Sequence, residues 1–215
     1  MSRTFGTPTA QKKFTLSTWI KRGKLGVAQM FFSSAAGGGS TNPSQLYFNA
    51  NDQIILELAT SGGAFQTVTT AVFRDPAAWY HVVVAVDLDA ASGSRVNIYV
   101  NGVNQAKTYN PSEIASGAAV SMNAAVVHYL GVRDTLANYT DGYLAETYYI
   151  DGTQKQASDF GATDPTTGQW KPKKYTGTYG TNGFYLPFND GSSTTTLGYD
   201  RSGNANNWTL TSFTR

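Results

Sequence analysis

Aromatic rings spaced by glycine and threonine fill residues 168–210, and Trp170, Tyr175, Tyr179 and Tyr185 are the side chains there best suited to hold a ligand. A phenol or indole offers an apolar face that stacks on a pyranose and a polar edge that bonds to sugar hydroxyls, so these four form a candidate sugar-contact set; the alternative is that they pack the C-terminal segment onto the rest of the fold, with Trp170, Lys171 and Pro172 as an anchoring strap. The same run carries Asp190, Asp200, Asn204 and Asn206, hard oxygen donors at spacings that could wrap a Ca2+ ion. Asx residues beside glycine equally make turns through side-chain to backbone hydrogen bonds, so this loop has two readings. Lys171, Lys173 and Lys174 add a small basic patch that could meet an acidic polysaccharide or stay solvated.

Acid–base chemistry is poorly provided for. Glycoside hydrolysis needs two carboxylates facing one cleft, about 5–5.5 Å apart for retention or about 6.5–9.5 Å for inversion. Asp87 and Asp89 share one side of a valine-rich segment but run into the 90–94 turn, which favours a solvated strand end. Glu146 is the other candidate acid, and Asp151 falls in a turn on the opposite face from it. His81 and His128 lie within strands, with no local serine or carboxylate arrangement of a nucleophilic triad. The chain has no cysteine, which excludes disulfides, thiolate zinc sites and a cysteine nucleophile. The reading is a non-catalytic protein.

With 215 residues, a formal net charge of +2 and 14% charged residues, the chain lacks the basic face of a protein that tracks phosphates, so nucleic acid is not an expected partner. No apolar stretch approaches the roughly 18 residues that span a bilayer, and residues 1–10 lack the apolar core of a signal peptide. Membrane insertion and general secretory export are therefore not expected. The length suits one undivided all-β domain over residues 1–215, with a strand-rich body at about 13–151 and a C-terminal wrapping segment at about 152–215.

The elements that must position these side chains are strands. Period-2 alternation recurs in short runs bounded by turn residues, and 3.6-residue periodicity is nearly missing, with a hint of a helical turn only at 155–160. Phe14, Leu16 and Ile20 share one side of a strand, and Met30, Phe31 and Phe32 precede a glycine- and serine-rich loop, 33–44, read as a solvated connector. Residues 46–48 and 54–58 flank an Asn51–Asp52 turn as a hairpin, and 65–73 follows as a strand. The near-continuous valines of 79–89 predict a strand covered on both faces. Residues 95–100 alternate and then turn at Asn101–Gly102, a type I′ signal, with the next strand starting at Val103. Residues 126–132 and 143–150 complete the strong strands.

Five ordered blocks, FTLSTWIKRG, AWYHVVVAVD, RVNIYVNG, YLGVRD and DGYLAETYYIDG, resemble the laminin-G-like, concanavalin A-like lectin/glucanase jelly roll over nearly the whole chain. ASDFGATDPTTGQWKPKKYTG, YGTNGFYLPFND and LGYDRSGNANNWT are similar to the variety of this fold found in bacteriophage virion proteins. The resemblance implies a two-sheet antiparallel sandwich in a tail fibre, spike or decoration protein, placed on the virion surface after synthesis in the host cytoplasm. It implies adhesion to a host-surface glycan or receptor or, alternatively, structural contacts with other virion proteins; a trimer and a calcium ion at a loop edge are family expectations. The E-x-D-x-x-E signature of the family's glucanases is absent, so a polysaccharide depolymerase, the third reading, stays open only through the carboxylates of Asp87, Asp89 and Glu146. FYLPFND and DRSGNANNW come last here and first in many laminin-G-like modules, so residues 183–188 and 207–213 are expected to return and pair beside the first strand.

Overall fold

The computed structural model describes residues 1–40 and 42–211. In chain order the strands are β1 (Ser2–Thr4), β2 (Lys13–Arg22), β3 (Gln29–Ser34), β4 (Gln45–Phe48), β5 (Ile54–Thr60), β6 (Gly63–Thr69), β7 (Tyr80–Asp87) and β8 (Val96–Val100). They continue as β9 (Val103–Asn104), β10 (Lys107–Asn110), β11 (Val127–Leu130), β12 (Gly142–Asp151), β13 (Gly161–Thr163), β14 (Trp170–Pro172) and β15 (Phe184–Leu186). The helical turn hinted at by the sequence is a 3-10 turn at Ala157–Asp159, and a one-turn helix, α1 (Thr194–Leu197), is capped by Ser193.

Two antiparallel sheets stack face to face. One is ordered β1-β11-β3-β4-β5-β6-β10 and the other β15-β12-β2-β7-β8-β9, while β13 and β14 form a separate ribbon. Alternation explains the arrangement: Phe14, Leu16 and Ile20 of β2, Val82, Val84 and Val86 of β7 and Val96 and Ile98 of β8 meet Phe32, Leu46, Phe48, Leu56 and Leu58 of the opposing sheet in one buried core. The hairpins and the both-sides-covered strand appear where the residue pattern puts them. β4 pairs with β5, β7 is buried along nearly its whole length, and Asn101 and Gly102 turn with φ of 49° and 85°.

Two expectations need correction. The 33–44 segment is not wholly a solvated connector, because Ser34 belongs to β3 and both Ser34 and Ser44 are fully buried. Their hydroxyls meet Ser121 Oγ at 3.0 and 2.8 Å, and mutual hydrogen bonding is what lets three serines sit inside. The C-terminal return is split: β15 pairs with β12 rather than with a first strand, while Ser2 bridges to Thr209 beside β1. Residues 212 and 213 of that expected strand lie outside the described residues.

Residues 153–179 form a strap across the outer face of the six-stranded sheet. Thr15 Oγ1 donates to Thr153 O at 2.9 Å and Gln154 Nε2 donates to Ala85 O at 3.2 Å, fastening the strap to β2 and β7. Val83, Tyr148 and Ile150 of the sheet and Ala157, Phe160 and Tyr175 of the strap make a second, smaller core between the two. This strap is why β7 is apolar on both faces.

Candidate functional site

The four ring residues do not share one surface. Trp170 lies flat over β7 and β8, its Nε1 donating to His81 Nδ1 at 2.9 Å, with its ring against Gly102 and Gly161. Tyr175 is 4% exposed, stacked on Phe160 at 5.2 Å and edge-on to Tyr179 at 5.2 Å, with its hydroxyl donated to Thr178 O. Trp170 and Tyr175 therefore bury most of their rings against the sheet. Tyr179 and Tyr185 are half-buried.

Around them lie two shallow depressions that share Arg201. One, of about 500 Å³, is lined by Tyr185, Pro187, Asn189, Asp190, Gly191 and Arg201. The other, of about 520 Å³, has Tyr175, Tyr179, Lys174, Asn204 and Arg201 among its walls. Carboxylate, guanidinium, amide and phenol groups thus face one open surface, a donor and acceptor set that suits a hydroxyl-rich ligand. Arg201 Nη2 reaches Asp190 Oδ2 at 3.5 Å, so its charge is already offset.

Beneath Tyr185 the sheet carries a strained residue. Between Ala145 and Tyr148 the pairing of β12 with β2 slips by one residue, and Glu146 in that bulge has φ of 50°. Its Oε2 accepts hydrogen bonds from Tyr185 Oη at 2.8 Å and from Tyr148 Oη at 3.1 Å, and the two phenol rings stack at 4.2 Å. Burial, reinforced by the Glu146 carboxylate, pushes the Tyr185 pKa up to about 12, so the phenol keeps its proton.

The calcium reading of Asp190, Asp200, Asn204 and Asn206 does not fit the geometry. Asp200 Oδ1 accepts from the amides of Tyr185 and Ser202, both at 2.8 Å, and Oδ2 accepts from Ser202 Oγ and the Asn206 amide at 2.8 Å. Four donated hydrogens occupy the lone pairs that a hard cation would need. The Asn204 and Asn206 side-chain amides both donate to Gly183 O, Asn206 Oδ1 accepts from Arg3, and Asp190 accepts from Ser192. Among the described residues no three His, Asp or Glu side chains gather as a metal site. This loop is a knot of Asx turns that ties the C-terminus to β1 and β15.

The remaining candidates are held in structural roles. Asp87 and Asp89 are paired with Lys13 at 3.1 and 3.8 Å, and Asp89 also with Lys12 at 3.6 Å. Asp151 is 2% exposed and accepts from the Thr9 and Asn182 amides and from Asn123 Nδ2. His81 donates through Nε2 to Ser17 Oγ, because Trp170 can only donate to its Nδ1. His128 is fully buried, stacked on Phe5 at 3.7 Å, with Nδ1 directed at Val126 O and Nε2 accepting the Asn123 amide. The basic patch is dispersed: Lys171 pairs with Asp164 and Lys173 donates to Ser158 O.

Residue-by-residue reading missed one surface. Gln45, Glu57, Gln66 and Asn110 stand in register across β4, β5, β6 and β10 on the outer face of the seven-stranded sheet. Gln66 Nε2 donates to Glu57 Oε2 at 2.7 Å and Asn110 Nδ2 donates to Gln66 Oε1 at 3.3 Å. One outward polar residue per alternating strand was the available signal, but only the register lines them up.

A family model described as the concanavalin A-like lectin/glucanases superfamily matches residues 4–148. No curated protein matches the sequence. Among solved structures, a Bacteroides ovatus ATCC 8483 protein put forward as carbohydrate binding superposes with a TM-score of 0.61 at 14% identity, over 95% of this chain and 54% of that one. The CBM40 of the Ruminococcus gnavus IT-sialidase superposes with a TM-score of 0.50 at 16% identity, over 74% of this chain and 91% of that one. At these identities the likeness is one of fold, and this chain spans about half the length of the Bacteroides structure.

Proposed function

This chain belongs to the concanavalin A-like lectin/glucanases superfamily, and on that premise we propose that it is a non-enzymatic carbohydrate-binding module that grips a glycan in the two depressions joined at Arg201. The observation that carries the reading is the convergence of Tyr185, Tyr179, Asn189, Asp190, Asn204 and Arg201 around two depressions that share Arg201, where Asp190 is the one carboxylate among the described lining residues. Sugar hydroxyls there would exchange water for directional partners, and ring edges would cover apolar sugar faces. The carbohydrate-binding description attached to the Bacteroides ovatus fold relative agrees with it. The setting we propose is the surface of a bacteriophage particle, on capsid or tail, where the glycan belongs to the host; this rests on the resemblance of the 157–209 motifs to virion proteins, as does assembly into a trimer.

A glycan array probed with the purified chain, with and without calcium, tests the reading. The expected result is saturable binding that calcium does not change and that Tyr185→Ala weakens by about tenfold. Binding to no glycan by a chain that co-purifies with capsid or tail would instead establish the structural alternative, which Leu136, Tyr139 and Tyr143 favour, being 57%, 58% and 66% exposed near one end of the sandwich. Release of reducing ends from host polysaccharide would restore the depolymerase reading.

A further inference from the structure

The six-stranded sheet carries a second set of aromatic side chains, at the end of its outer face that the strap leaves open. Tyr143 of β12 pairs with Lys21 of β2, and Trp79 directly precedes Tyr80, the β7 partner of Ile20. Ile20, Tyr80 and Leu144 pack toward the sandwich core, so by alternation Tyr143, Lys21 and Trp79 stand in one row on the opposite face. Tyr143 is 66% exposed and Trp79 39% exposed. One row further in, Trp19 stacks on His81 at 5.0 Å and His81 on Trp170 at 6.0 Å, with interplanar angles of 18° and 26°. The strap's own indole thus shows that this face receives a flat ring laid upon it, with a polar edge bonded to the sheet.

Tyr143 and Trp79 lie on the two strands that flank β2, and with neighbouring strands about 4.8 Å apart they are separated by about 10 Å. That is roughly the span of two sugar units in an extended β-linked chain, whose pyranoses offer flat C–H faces with hydroxyls at their edges. Lys21 stands between the rings, where an ammonium would donate to the oxygens of the intervening unit. Apolar, cationic and apolar side chains in succession suit a ligand that alternates ring faces with oxygens better than they suit a continuous hydrophobic interface. None of the three residues lines either depression at Arg201.

We propose that Tyr143, Lys21 and Trp79 form a second carbohydrate site, a platform for an extended β-linked glycan chain laid across β12, β2 and β7. This rests on the carbohydrate-binding reading above and adds to it a ligand of stated shape.

The test titrates the full chain with cello-, xylo- and chito-oligosaccharides of one to six units, read by tryptophan fluorescence and calorimetry. Affinity should rise with length up to at least three units, with a fluorescence change that Trp79→Leu abolishes. Trp79→Leu, which keeps an apolar contact without a flat ring, and Tyr143→Ser should each lose about tenfold in hexamer affinity, while Tyr185→Ala should keep the fluorescence-detected affinity within about threefold. Tyr143→Ser alters a side chain that is two-thirds exposed, so it should melt as wild type does and decides the matter if Trp79→Leu melts lower. Hexamer affinity unchanged in Tyr143→Ser and in a folded Trp79→Leu would overturn the proposal, and its loss in Tyr185→Ala alone would give all the binding to the depressions. A wild type that binds glycans on the array but none of these extended chains overturns the platform and leaves the carbohydrate-binding reading intact; one that binds neither sinks both. Co-purification with capsid or tail that Trp79→Leu abolishes, by a chain that binds no oligosaccharide, would assign the row to a protein neighbour and overturn the proposal as well.

Discussion

Tyr175 and Tyr185 look alike in the sequence and answer to different physics. Tyr175 is 4% exposed within the second core, so Tyr175→Ala removes packing and should cost about 3 kcal/mol, read as a lower denaturant midpoint. Tyr185 lines the depression and its hydroxyl donates to the Glu146 carboxylate, so Tyr185→Phe should weaken affinity and also cost about 1 kcal/mol of stability, less than Tyr175→Ala. Asp200 holds four hydrogen-bond donors, so Asp200→Ala should strand the Tyr185 and Asn206 amides and cost about 2 kcal/mol, whether or not calcium is present. A melting temperature that a chelator leaves unchanged in the wild type is the companion result; a fall of several degrees would return the loop to the calcium reading.

At the scale of elements, the strap over the six-stranded sheet decides how the outer face behaves. Trp170 locks the strap to β7 through His81, whose ring also stacks on Trp19 at 5.0 Å. A methyl group at Gly161 would overlap the Trp170 ring, so Gly161→Ala should lift the indole and destabilise by about 1–3 kcal/mol in urea melts. Burial holds His81 at a pKa of about 4 and His128 at about 3, below the ordinary 6.5. The unfolded chain therefore takes up protons that the folded chain refuses, so stability is fully present above about 6.5 and is lost as pH falls toward about 4, by up to about 1.4 kcal/mol per unit for each histidine. Urea midpoints measured across that window should fall on acidification, and His128→Phe should flatten the slope. A slope that the substitution leaves unchanged would place the acid sensitivity elsewhere.

Across the whole molecule, the strands were legible, and the strap was legible only as a C-terminal segment that wraps the sandwich, not in which of its rings face the sheet. Segments such as 79–89 declare themselves because a strand covered on both faces must be apolar at consecutive positions, and Asn101–Gly102 because few other pairs adopt left-handed angles at both turn positions. Residues 153–179 have no period of their own. Their conformation is dictated by an outer sheet face assembled from β2, β7 and β12, so whether Trp170 and Tyr175 face solvent or sheet was undecidable from spacing. The bulge that twists Glu146 toward Tyr185 is likewise a property of pairing with β2 rather than of any local motif. Asp200 read as a ligand or a turn-former for the same reason, since its donors come from residues on either side of the loop.

The claim beneath all of this is that a stiff sandwich holds a sugar without breaking it. Its most direct measurement is an equilibrium titration of the purified chain with a neutral oligosaccharide selected on the array, followed by analysis of the recovered sugar. Saturable binding with the oligosaccharide recovered intact is the predicted result. Absence of binding, or an oligosaccharide returned shortened with new reducing ends, would contradict it.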